Sequence, residues 1–168
     1  MLVSLSVLGV MTAMVAPTFS GPLETNRVRA MSGEFVSTLG NARTEAARRG
    51  VPVTLCPRAA STNTCAASAS NWNNGWILYA DLDASGGYDG ADLLIAVRTG
   101  LPTGSSVGEG QAAPVSVLPS GEHVFSSGSA RTIAFKSNSA RSYVVVSRVG
   151  RAAVLSSADC GSKTQCEP

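Results

Sequence analysis

The sequence predicts an α+β domain in which one long N-terminal helix packs on an antiparallel β-sheet of about seven or eight strands in two layers. Three observations carry that expectation. Residues 1–23 hold no charged side chain and are almost wholly apolar. From Val28 the apolar residues recur as Met31, Phe35, Leu39, Ala42 and Ala46, in steps of three and four that keep one helix face apolar. After Gly50 the spacing changes to two and the residues to β-formers, in short runs separated by Gly, Pro, Asn and Ser.

The first segment is relieved only by small polar residues such as Ser4, Ser6 and Thr12. A spanning helix needs about 20 apolar residues, a length that residues 1–23 only just reach. A cleaved secretory signal would carry a basic stretch before the apolar run and a small-x-small cut; here nothing basic precedes, and Pro17 follows Ala16. A buried soluble helix is rarely so uniformly apolar. Residues 1–23 are therefore expected to anchor the chain in a membrane, with residues 24–50 as the amphipathic continuation of the same helix. Arg48 and Arg49 suit its C-terminus, Gly50 suits a left-handed cap, and Pro52 blocks continuation. Pro17 and the Gly21-Pro22 pair should kink or break it. Such a helix approaches fifty residues, roughly 70 Å at 1.5 Å per residue.

Residues 51–168 read as strands. Val51, Val53 and Leu55 alternate with Pro52 and Thr54. Further runs follow at Trp76-Ile77-Leu78-Tyr79, Leu93-Leu94-Ile95-Ala96-Val97, Val115-Ser116-Val117-Leu118, Ile133-Ala134-Phe135, Tyr143-Val144-Val145-Val146 and Ala152-Ala153-Val154-Leu155. Trp72 and Trp76 suit core packing against the helix better than a ligand platform.

Composition excludes several classes. The chain of 168 residues has room for one core; with 5% aromatic and 14% charged residues it is lean, yet too apolar for disorder. Net charge is +2; residues 51–122 carry −4 and residues 123–168 carry +4, with +2 on residues 1–50, which fits either an ordinary mixed surface or a basic C-terminal face. No G-x-S-x-G, Walker loop or histidine pair occurs. The one histidine, His123, is expected at the surface of an edge strand, and no catalytic residue is assigned. The cysteines form two close pairs, Cys56/Cys65 and Cys160/Cys166, which predict two small disulfide loops in an oxidising compartment. A zinc site would use all four, but the intervals of eight and five residues are not those of zinc knuckles.

One acidic stretch has the spacing of a calcium loop. In residues 81–92, Asp81, Asp83, Ser85, Asp89 and Asp92 occupy positions 1, 3, 5, 9 and 12, with Gly86 at position 6. Position 12 is Asp where the longer Glu is usual, and the flanks read as strands. A polar hairpin using Asp and Gly for turn geometry is the alternative. No cofactor is required; calcium is the one cofactor this stretch would take.

The apolar start, Pro17, Asn41-Ala42-Arg43-Thr44-Glu45-Ala46-Ala47-Arg48-Arg49-Gly50, Val53-Thr54-Leu55-Cys56-Pro57 and Trp72-Asn73-Asn74-Gly75-Trp76-Ile77 stand together in one chain. In that combination they resemble the GspH/FimT family of minor type IV pilins and type II secretion pseudopilins. The resemblance is most specific up to Leu94. It implies a non-enzymatic, single-pass protein of the bacterial inner membrane with its C-terminal domain in the periplasm and then in a pilus or pseudopilus. It implies other minor and major pilins or pseudopilins as partners, a prepilin peptidase that cuts a basic leader, and methylation of the new N-terminus. Met1, Leu2, Val3, Leu5, Leu8, Val10 and Pro17 would then belong to the helix that packs in the filament. The family's leader and early glutamate are not in this sequence, so Met1 is expected to be an internal methionine of a longer chain. Some members act in DNA uptake through a Gly-Arg-x-Arg hairpin. Here Gly150-Arg151-Ala152-Ala153 keeps the first arginine only, and Arg141, Arg148 and Arg151 would be the DNA contacts.

Overall fold

The computed structural model describes residues 20–67, 72–109, 114–125, 130–156 and 159. Residues 1–19, with most of the expected membrane anchor of residues 1–23 and with Pro17, and the Cys160/Cys166 pair lie outside the described residues. Helix α1 runs Ser20–Arg49 and is followed by β1 Val53–Pro57, β2 Gly75–Ala80, β3 Leu93–Thr99, β4 Ser105–Glu109, β5 Val115–Val117, β6 His123–Val124, β7 Ala130–Ser137, β8 Ala140–Ser147 and β9 Ala152–Ser156. The strands form two antiparallel sheets, in the orders β3-β2-β1-β5-β6 and β4-β7-β8-β9. Among the described residues there are thus nine strands in two layers, against the expected seven or eight.

The helix packs on both sheets through the face its periodicity predicts: Val28, Met31, Phe35, Leu39, Ala42 and Ala46 are all at most 2% exposed. Phe35 is the centre of this packing. Its ring meets Trp72, Trp76 of β2 and Phe135 of β7 edge-on, at centroid distances of 5.5, 5.4 and 5.6 Å. Both tryptophans are therefore core residues, as expected. Gly50, at φ +71°, donates its N–H to Ala46 O at 2.9 Å and closes the helix. No break occurs at Gly21-Pro22, which lie within the described helix. Among the described residues, no helix is long and apolar enough to cross a membrane.

The burial of β1 differs from the expected alternation, since all five residues are buried. Its inner face meets the helix. Its outer face is covered by connections and the start of β3: Cys56, Ile77 and Tyr79 form a second cluster with Cys65, Tyr88 and Leu94. Thr54 is buried there and shares a 2.7 Å hydrogen bond with Ser116 Oγ. Cys56 and Cys65 form a disulfide, as expected, which holds the β1–β2 connection on this face.

Candidate functional site

Two polar regions contain the residues singled out in the sequence. The first is the β2–β3 connection. Asp81 is 4% exposed, and its two oxygens accept the N–H groups of Ser85 at 3.1 Å and Gly86 at 2.9 Å. Asp83 accepts the Ser85 N–H at 3.0 Å, and the Ser85 amide is the main cause holding its carboxyl below the usual carboxylate range. Asp92 accepts from Leu82 N–H at 3.1 Å and Asp89 N–H at 3.0 Å. Burial pushes the neighbouring Tyr79 phenol up to about 12, with the charges of Asp81, Asp92 and Asp89 adding to the effect.

Of the five residues with calcium-loop spacing, Asp81, Asp83 and Asp92 come together, with carboxylate oxygens within 4.8 Å of one another. The other two have local roles: Asp89 accepts the Ala91 N–H at 2.7 Å, and Ser85 Oγ donates to Gly87 O at 3.1 Å. The turn is held by its own amides. A cation there would use lone pairs that those amides leave open.

The second region is the β8–β9 turn. Arg148 and Arg151 are both exposed on it. Arg141 lies at the opposite end of β8, opposite Lys136 in the β7–β8 register. Seven residues at about 3.3 Å each put it roughly 23 Å from Arg148 along the strand. The three arginines therefore do not form one face.

What meets the turn instead is the helix. Arg43 Nη1–H donates to Gly150 O at 3.2 Å, across a sequence separation of 107. Gly150 has φ +84°, and a Cβ there would fall 2.4 Å from Gly121 O and 2.9 Å from Arg43 Nη1. Packing thus requires the glycine of the Gly150-Arg151 pair, whatever the arginine binds. His123 completes the junction: its N–H donates to Arg148 O at 2.8 Å, and its Nδ1 lies 3.2 Å from Ser147 O.

His123 is on an edge strand, but it is 2% exposed and not at the surface as expected. The residue faces the β8–β9 turn and the helix, neither of which a local pattern announces. Burial lowers its pKa from 6.5; the Ser147 carbonyl opposes this and the Arg43 charge adds to it. The imidazole is a neutral tie between two sheets. Sequence reasoning missed this role for Arg43 and His123; the signal available was Arg43 inside the family-like segment.

The family model "Type II transport protein GspH" matches residues 32–150, a span running from the helix to the β8–β9 turn. None of the curated proteins matches the chain. Among solved structures, two crystal forms of the Pseudomonas aeruginosa (strain PAO1) type IV minor pilin FimU are similar at 16% identity. One has a TM-score of 0.57, covering 77% of this chain and 94% of that one. The other has a TM-score of 0.60, covering 79% and 91%. At that identity the likeness shows a shared fold.

Proposed function

The chain belongs to the GspH/FimT family of minor type IV pilins and type II secretion pseudopilins, and on that premise we propose that it is a structural subunit helping to initiate and assemble a type IV pilus or type II pseudopilus. The observation that carries this reading is the extent of the family match. It takes in the helix from Ser32, the strands β1 to β8 and the turn after β8, so most of the fold is shared and not a local motif. Residues 1–23 as an inner-membrane anchor, processing by a prepilin peptidase, and contacts with other pilins or pseudopilins belong to the same proposal. Catalysis forms no part of the proposal, and a structural role for His123, buried against Ser147 O, accords with that. Calcium at Asp81, Asp83 and Asp92 would serve as a clamp on the β2–β3 connection.

The test is deletion of the gene, with complementation by the full-length gene. Loss of surface pili or of type II secretion, restored by the gene, is the expected result. Normal pili and normal secretion alongside lost DNA uptake would overturn the structural role in favour of a DNA-binding pilin. One observation favours that second reading, namely the placement of Arg148 and Arg151 on one exposed turn.

A further inference from the structure

Between the helix and the β8–β9 turn lies a cavity of about 170 Å³. Val36, Leu39 and Ala152 give it an apolar wall, while Arg43 and His123 bring polar atoms to it. Gly40 also lines it, from the middle of the helix. Glycine is the poorest helix former after proline, and a methyl group at Gly40 would meet nothing within 4 Å. Packing within the chain therefore does not require glycine there; what its absent side chain leaves is open space.

The guanidinium beside that space belongs to an exposed residue and reaches over the turn. It donates to Gly150 O, and a Cβ on either Gly121 or Gly150 would fall within 2.7 or 2.9 Å of it. Among the described residues, none of the carboxylates lies within 4 Å of Arg43; the ion pairs are Arg48 and Arg49 with Glu45, and Arg98 with Glu34. A guanidinium offers five donors in a planar fork that matches a carboxylate. Arg148 and Arg151 on the adjoining turn add positive potential, and among the described residues no acidic side chain lines the cavity.

We infer that this cavity binds a short aliphatic carboxylate, with its head on Arg43 and its methylene stem against Val36, Leu39 and Ala152. A glutamate side chain from another subunit and a free short-chain acid share that chemistry. The inference rests on this geometry; its glutamate source alone rests also on the proposed assembly role.

Its test uses the full chain in detergent micelles, with glycine amides labelled for NMR. Sodium butyrate is titrated in, against sodium chloride at equal ionic strength. Saturable shifts at Gly40 and Gly150 with butyrate alone are expected. Arg43→Lys keeps the charge but loses the fork, and should weaken binding by about tenfold, the scale of one charge-assisted bond. Gly40→Leu fills the cavity with a better helix former, so it should abolish binding while the melting temperature holds or rises. The peptide acetyl-Ala-Glu-Ala-amide, with its glutamine counterpart as control, separates the two sources: tighter binding than butyrate assigns the carboxylate to a protein partner, and weaker binding to a free acid. Shifts no larger than those with chloride for both probes, or butyrate binding unchanged in a folded Gly40→Leu chain, would overturn the inference.

Discussion

Phe35 of the helix and Trp76 of β2 meet edge to face, with centroids 5.4 Å apart and ring planes at 81°. Because Phe35 also meets Phe135 on the other sheet, one helical side chain joins three elements. Phe35→Ala should cost about 3–5 kcal/mol, the range for deleting a buried phenylalanine where the site cannot collapse. Urea unfolding of the full chain in micelles measures it. A loss under about 1 kcal/mol would mean that the helix does not depend on this contact.

The helix face was legible because Val28 to Ala46 follow a 3.6-residue period, and nothing but burial explains such a pattern. β4 was not, since Ser-Ser-Val-Gly-Glu holds one large apolar residue, and β6 has only two residues. The two-sided burial of β1 was illegible for a different reason. Its outer cover comes from Cys65 and Tyr88 in connections whose path no period records. The Arg43–Gly150 junction joins residues 107 apart, and only tertiary structure brings them together. The acidic turn was half legible: the spacing found Asp81, Asp83 and Asp92, but not the local hydrogen bonds that occupy Ser85 and Asp89.

Opening the Cys56–Cys65 disulfide should destabilise the domain without unmaking β1. A closed loop with a sequence separation of 9 residues is worth about 2–3 kcal/mol on the chain-entropy account. The double substitution Cys56→Ala, Cys65→Ala should lower the unfolding midpoint accordingly. Peptide mapping without reductant should recover this pair together with Cys160–Cys166. A peptide joining Cys56 to either C-terminal cysteine would refute the pairing.

Acid should loosen the junction at His123. Its folded pKa is lowered from 6.5, so the unfolded chain binds the proton first as pH falls. The stability contributed is present above about 6.5 and is lost as pH falls through the lowered folded value. His123→Asn can still donate to Ser147 O but does not titrate. The fall in melting temperature between pH 7 and pH 5.5 should be smaller in this variant than in the parent. Equal slopes would show that another group governs that window.

Calcium at the acidic turn should bind weakly, in the millimolar range of the weaker extracellular sites. Asp81 already directs both oxygens at amides, and so does Asp92. Only part of the donor set remains open, and Asp89 and Ser85 point elsewhere. Calorimetric titration with calcium chloride, and with Asp83→Asn as the control, checks this. Micromolar affinity lost in Asp83→Asn would mean that the turn rearranges into a full cage.

DNA binding separates the two family roles most directly. Phosphate contacts are additive, each steepening the log–log salt dependence by about 0.9. A surface carrying Arg141, Arg148 and Arg151 together would give a slope near three such contacts. Here Arg141 lies at the far end of β8 from the other two, roughly 23 Å along the strand. One guanidinium of the turn's neighbourhood, Arg43, is already directed at Gly150 O. The exposed turn therefore offers Arg148 and Arg151, and the position after Ala152 is another alanine. Little or no binding of duplex DNA is expected near physiological salt, and any binding at low salt should show a slope of about two or less. The Arg148→Ala, Arg151→Ala double variant should then flatten that slope almost to zero, while Arg141→Ala leaves it unchanged. Micromolar binding at physiological salt, lost in the double variant while its melting temperature is unchanged, would make the turn a nucleic-acid contact and displace the structural reading. A loss of equal size in Arg141→Ala would mean that the DNA runs along the whole of β8 and not across one turn.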